Sequence, residues 1–385
     1  MTRSREATGT EAGRAPARID AAWRTGLVVA LASRAIFFPI AWGANWFLAS
    51  SNGGLTDGFF GGWLRWDAVI LLRIAEHGYT ATADPHAAAF FPLFPMLTRA
   101  LGWTGMPLLA AGLLISAVSS VVAFAYLYRL AEEDIGEGAG RKAVLYLALF
   151  PTGVFLIAPY TEALFLAGAI PAFYYARRRR WLAAGIPAAI AVGARFAGVF
   201  LLFGLAVEFL RQRDFTLARV GQALVALATG IAPLGAYVTY LWLTHRGAFA
   251  FITAQKEGWG RTYVGPWRAL ETTLFHTSGT GYPTNWIFAW KVEVVAAAIG
   301  LALTVLALAR REWGYGAFMA ATMMVLVTST WYYSIPRMLL SLFPIMLFLA
   351  ARTTRRPHEH EWALITLAPL ATLGVIVFAR SAWFF

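Results

Sequence analysis

Cysteine is absent from this chain of 385 residues, which excludes disulfides, a thiol nucleophile and any cysteine-ligated metal. Charge is scarce as well: 14% of residues are Asp, Glu, Lys or Arg, 59% are hydrophobic, and mean hydropathy is +0.60. A soluble domain carries about 25% charged residues, so the composition excludes an ordinary soluble fold. The common nucleotide and hydrolase signatures are missing too. There is no Walker loop, no Gly-x-Gly-x-x-Gly after a strand, no His-Glu-x-x-His and no Gly-x-Ser-x-Gly elbow. ATP-driven transport and common hydrolase chemistry are therefore disfavoured. Asp-x-Asp does not occur either. The nearest acidic cluster, Glu132-Glu133-Asp134, shares its loop with Arg129, Arg141 and Lys142, whereas enzymes that use nucleotide sugars commonly hold a metal between paired carboxylates.

What the chain has in abundance is long apolar runs. Eleven of them read as membrane spans: Trp23–Ala49, Met106–Tyr128, Ala143–Ile157, Thr161–Ala176, Trp181–Ala194, Phe196–Leu210, Leu217–Leu243, Trp286–Ala309, Trp313–Thr330, Met338–Ala351 and Trp362–Ala379. The expectation is an all-α polytopic membrane protein with one membrane domain over residues 21–385. Residues 1–20 are expected to form a disordered tail, and no signal-peptide order precedes the first run. The net charge of +12 is explained by topology rather than by nucleic acid. Arg177-Arg178-Arg179-Arg180, Arg211/Arg213/Arg219, Arg310-Arg311 and Arg352/Arg355/Arg356 all fall on one side of these spans, and basic loops mark the cytoplasm. The N-terminus shares that side, in a multi-pass protein of the cell membrane. The large loops 50–105 and 245–285 then face outward.

The first outer loop places one acid among apolar residues. Taken as a helix from Trp63 to His77, at about 100° per residue, the segment puts Leu64, Ala68, Leu71, Ile74 and Ala75 on one arc. Arg65, Arg73, Glu76 and His77 fall opposite, yet Asp67 lies inside the apolar arc. A carboxylate there must be paired, protonated or in use. A buried ion pair or a loop-ordering cap satisfies the same pattern, as does a catalytic acid.

Four of the runs are too short for an untilted crossing and meet in pairs, at Ala158-Pro159-Tyr160 and at Arg195. Their outer turns are expected below the membrane surface, under the large loops, which leaves a recessed cavity. Glu162, Arg195 and Arg337 are candidates to line it, the arginines alternatively snorkelling or pairing with a carboxylate. Arg34 stands midway along the first span, where a charge needs a partner or a ligand. In the second outer loop Phe251, Gln255, Lys256, Trp259 and Arg261 combine aromatic, amide and basic groups suited to a sugar or a phosphate. An interfacial aromatic belt produces the same mixture.

A lone outward carboxylate, a recessed cavity and phosphate-sized cations suit glycosyl transfer from a polyprenyl-phosphate sugar. An acid takes the acceptor hydroxyl proton while Arg stabilises the departing phosphate. At this point the chain resembles a known family. Arg65-Trp66-Asp67-Ala68 running into Ile74-Ala75-Glu76-His77-Gly78-Tyr79, then Ala89-Phe90-Phe91-Pro92-Leu93-Phe94-Pro95, is similar to the first outer loop of the PIG-V type mannosyltransferases, the GPI mannosyltransferase II family and its bacterial relatives. The similarity continues at Ser33-Arg34, Tyr160-Thr161-Glu162-Ala163-Leu164-Phe165, Ala194-Arg195-Phe196-Ala197-Gly198 and Pro336-Arg337 leading to Phe343-Pro344.

The resemblance implies a GT-C glycosyltransferase fold and inverting transfer of mannose from a polyprenyl-phosphate-mannose donor to a glycolipid or glycan acceptor, without a required metal or other cofactor. It implies Asp67 as the acid, with Trp66 beside it. Ile70 departs from relatives that carry His or an aromatic residue there. A transporter or lipid-flipping protein with a polar pathway through Asp67, Glu162, Arg34 and Arg195 is the alternative from another class, though no inverted repeat is evident. A non-catalytic lipid-binding subunit is a second.

Overall fold

In the computed structural model, residues 11–47, 58–79, 86–244, 246–279 and 281–382 are described. The regular elements among these residues are helices. Helix α1 spans Glu11–Phe47, and the first long loop then contributes α2 (Gly58–Gly61), α3 (Asp67–His77) and α4 (Leu93–Gly102). Next come α5 (Leu108–Asp134), α6 (Ala139–Ala148), α7 (Thr161–Arg177), α8 (Trp181–Ala194), α9 (Ala197–Gln212) and α10 (Leu217–Leu243). The second long loop forms α11 (Ala250–Trp259) and α12 (Pro266–Thr277). The chain ends with α13 (Thr284–Ala309), α14 (Trp313–Val327), α15 (Ile335–Ser341), α16 (Pro344–Arg355) and α17 (His358–Ala379). Helix α1 begins inside the segment expected as a tail, and residues 1–10 lie outside the described residues, as do 48–57 of the first long loop.

Among the described residues, five helices are long and apolar enough to cross a bilayer: Asp20–Phe47 within α1, and α5, α10, α13 and α17. The pair α15 and α16, bent by 71°, makes a sixth if taken as one span. The other five of the eleven expected spans fall short of that length. Helices α6, α7, α8, α9 and α14 have 10, 17, 14, 16 and 15 residues. At 1.5 Å per residue each is shorter than the ~30 Å hydrocarbon layer. The protein is a multi-pass membrane protein whose centre is built of these shorter helices.

Helix α7 is the middle of that centre. Nearly all of its side chains are buried, as expected of a helix apolar all round, and it packs on α5 and α8. The outward faces of the long helices carry exposed Leu27, Val28, Leu31, Leu224, Val225, Val305 and Ile365. Such apolar exposure on crossing helices suits lipid rather than water.

Small residues let the short helices approach. A Cβ on Gly168 of α7 would lie 2.5 Å from the Pro187 carbonyl oxygen and 2.6 Å from the Ala191 nitrogen of α8. Backbone cannot yield as a side-chain tip can, so α7 and α8 sit at the distance only glycine permits. Gly168→Val is expected to cost about 1–3 kcal/mol or more through overpacking. A thermal unfolding midpoint in detergent equal to that of the wild type would contradict this contact.

Candidate active site

Asp67 does not sit within a helix from Trp63 to His77 as the periodicity predicts. It is the first residue of α3, because Trp66 adopts φ 53°, ψ −124° and breaks the helical path. For a bulky non-glycine residue this conformation is rare and strained. Ala68, Leu71, Ile74 and Ala75 of the expected arc are buried, and Leu72 beside them is buried too. Leu64, outside the helix, is exposed instead. Carboxylates are favoured in a first helical turn by the exposed N–H groups there.

The Phe90-Phe91-Pro92-Leu93-Phe94-Pro95 motif anchors the loop from below. Phe91 and Phe94 are buried, Tyr79 donates to the Phe90 carbonyl at 2.7 Å, and Tyr237 of α10 donates to the Ala88 carbonyl at 2.9 Å. Tyr160 adds a tie from the other side, donating to the Arg65 carbonyl at 3.0 Å. The backbone leading into Asp67 is thus held from two sides.

Four charges from four elements then form one chain. Arg337 on α15 donates from Nη1 to Asp67 Oδ2 at 2.6 Å and from Nε to Glu162 Oε1. Arg195, in extended backbone between α8 and α9, places Nη1 2.5 Å from the same Glu162 oxygen, and its Nη2 lies 3.1 Å from Met338 Sδ. Side-chain exposure falls from 22% at Asp67 to 12% at Arg337 and 0% at Glu162, with Arg195 at 14%. Asp67 is therefore the outermost carboxylate of a cluster that is otherwise nearly closed. The Arg337 guanidinium also lies 4.7 Å from the ring centres of both Phe155 and Tyr160, a cation–π seat that fixes its plane.

Glu162 stands in the first turn of α7, where the helix dipole favours an acid. Its partner helix α15 is positioned by a residue that sequence reasoning missed. Glu293 of α13 is fully buried and accepts from the Ser334 and Ile335 N–H groups at 2.7 and 2.8 Å. It caps the start of α15 two residues before Arg337. The available signal was a single acid inside the apolar run Trp286–Ala309. Replacing Glu293 by Ala strands both amides, for about 1–3 kcal/mol each. Gln keeps one acceptor and is expected to unfold at an intermediate temperature; Ala and Gln melting alike would contradict the cap.

The remaining candidates are distributed around this cluster. Arg261 donates from Nη2 to the Tyr333 carbonyl at 3.1 Å and lies 5.1 Å over the Tyr333 ring, while its Nε is buried without a hydrogen bond. It is in electrostatic range of Arg337 and Asp67. Gln255 contributes only its backbone carbonyl, which accepts the Arg261 N–H at 3.3 Å. Trp66 is 46% exposed beside Asp67.

Arg34 lies on the other face of the 153–156 turn. It donates to the Leu156 carbonyl at 3.0 Å, the Ala30 carbonyl at 3.0 Å and Ser120 Oγ at 3.2 Å, with no carboxylate partner among the described residues. An open cleft of about 320 Å3 runs from it along Ala35, Phe38, Pro39, Phe59 and Phe60. Among the described residues no group of three His, Asp or Glu side chains is placed to hold a metal.

Fold and site together define a polytopic all-α membrane protein with a nearly closed charged cluster that ends at Asp67 of its first long loop. Residues 47–231 match the family model described as mannosyltransferase (PIG-V), as the motifs of that loop led one to expect. The chain is similar to GPI alpha-1,6-mannosyltransferase 2 of Mus musculus, 37% identical over 161 residues that make up 38% of this chain and 32% of that protein. The protein of the same name from Homo sapiens is 36% identical over 158 residues, 38% of this chain and 31% of its own length. The match thus spans about a third of these relatives. The family-matched segment contains Trp66, Asp67, Glu162 and Arg195; Arg34 precedes it, and Gln255, Arg261 and Arg337 follow it.

Proposed function

We propose that the protein transfers mannose from a polyprenyl-phosphate-mannose donor to an extracytoplasmic glycolipid or glycan acceptor, on a GT-C type fold. The observation that carries this is Asp67: the one partly open carboxylate at the lip of a buried ion-pair chain, within the segment similar to mannosyltransferases. In the reaction the Asp67 carboxylate accepts the proton of the acceptor hydroxyl as that oxygen bonds to the anomeric carbon. The anomeric C–O bond to phosphate breaks, and the polyprenyl phosphate leaves with the electron pair. Attack opposite the leaving group inverts the anomeric centre.

Arg195 and Arg337 are engaged with Glu162 and Asp67, so they align the base. The departing phosphate falls to Arg261 or Arg34, neither of which makes a salt bridge to a carboxylate among the described residues; guanidinium forks suit phosphate oxygens. The apolar cleft beside Arg34 suits the isoprenoid chain. The basic helix ends support a cytoplasmic face opposite the site, with donor and acceptor meeting on the outer face. No metal ion enters this scheme.

The test is transfer of labelled mannose by the purified protein, with polyprenyl-phosphate-mannose or nucleotide-linked mannose as donor, each with and without chelator. Transfer from the lipid donor alone, unaffected by chelator, is expected. Transfer only from the nucleotide donor, or strict dependence on added divalent metal, would overturn the reading. Arg261→Ala is further expected to raise donor KM more than it lowers kcat, because part of its phosphate contact exists before the bond breaks. An unchanged KM would remove Arg261 from the donor site.

A further inference from the structure

The opposite end of the bundle carries a second charged feature that the transfer reaction does not use. Arg310 closes α13 seventeen residues beyond Glu293, roughly 25 Å along the helix at 1.5 Å per residue. A cavity of about 220 Å3 opens beside it, lined by Arg310, Ala351, Arg352, Arg355 and Arg356. Glu359 receives Arg352 Nε at 2.5 Å and Arg356 Nη1 at 3.1 Å. Arg310 lies 5.7 Å over the Phe348 ring. Neither Arg310 nor Arg355 pairs with a carboxylate among the described residues. Four guanidiniums against one carboxylate leave three positive charges around one concavity.

Chain orientation alone explains basic residues at this face, but as side chains fanned into water. It does not explain why four of them line one cavity. Depth points to the occupant. Trp313, three residues beyond Arg310, and Trp362, six beyond Arg356, are 45% and 67% exposed, and exposed tryptophans on membrane helices mark the headgroup layer. Basic pockets between helices at that depth match the charge and the bidentate geometry of phosphate oxygens. We propose that this cavity binds the phosphodiester headgroup of an anionic membrane lipid. The site is independent of the mannosyl-transfer reading.

The test uses the full chain in detergent with equal phosphatidylglycerol and phosphatidylcholine, read by native mass spectrometry of retained lipid. The wild type is expected to retain phosphatidylglycerol selectively. Arg310→Gln combined with Arg355→Gln should weaken retention on the order of tenfold or more, since each basic residue near a headgroup contributes appreciably. Arg311→Gln, an equal charge change outside the lining, should retain lipid as the wild type does. Arg355→Gln alone gives a smaller loss and serves should the double variant misfold. Equal retention by wild type and cavity variants, an equal loss in Arg311→Gln, or equal binding of free glycerol phosphate without lipid preference would overturn the proposal.

Discussion

Asp67→Asn is expected to lower mannose transfer by about 10²–10⁴, the range for removing a general base, or roughly 3–5 kcal/mol of barrier. Asn keeps the shape of the side chain and an oxygen that can still accept from Arg337, so the cluster is disturbed little. What it cannot do is take a proton from the acceptor. Donor affinity should stay near that of the wild type, because the base acts in the chemical step. This separates catalysis from the competing role for Asp67, a carboxylate present only to neutralise Arg337. In that role Asn would lower the unfolding temperature and leave turnover per folded molecule unchanged. Kinetics and melting on the same preparations decide between the two.

Arg337→Ala is expected to have the largest effect on stability, about 3–5 kcal/mol, the cost of removing one partner from a buried ion pair. It strips Asp67 of the donor to Oδ2 and leaves fully buried Glu162 with Arg195. The rings of Phe155 and Tyr160 lose their cation as well. Arg337→Lys keeps the charge but replaces a planar fork by a single ammonium, which cannot serve Asp67 and Glu162 in the same geometry. It should recover part of the stability and little activity. A melting temperature for Arg337→Ala equal to that of the wild type would show that the four charges do not support one another.

Much of this arrangement was legible in the sequence. Apolar periodicity gave most of the buried face of α3, and the breaks between helices at Pro159 and Arg195 fall where the short runs meet. Glu162, Arg195 and Arg337 were each visible as charges at the ends of apolar segments, and the structure brings all three to Asp67. The pairing itself was hidden, because Arg337 reaches Asp67 from 270 positions away and no local pattern encodes that distance. The start of α3 was misplaced because periodicity is blind to a single residue with positive φ, here Trp66. Five of the eleven expected spans are helices of 10 to 17 residues, because hydropathy records apolarity and not helix length. Glu293 was overlooked since its partners are two backbone amides, which every residue offers. Gln255 looked suitable by composition, yet its side chain forms no hydrogen bond with the cluster.

The most direct measurement is the structure of the protein with a non-transferable phosphonate analogue of polyprenyl-phosphate-mannose and an acceptor alcohol. The acceptor hydroxyl is expected within hydrogen-bond reach of Asp67, about 2.6–3.2 Å, facing the anomeric carbon, with the phosphonate against Arg261 or Arg34 and the isoprenoid chain along Phe38, Phe59 and Phe60. An analogue bound with its anomeric carbon remote from Asp67, or held at the opposite face of the membrane, would contradict the account.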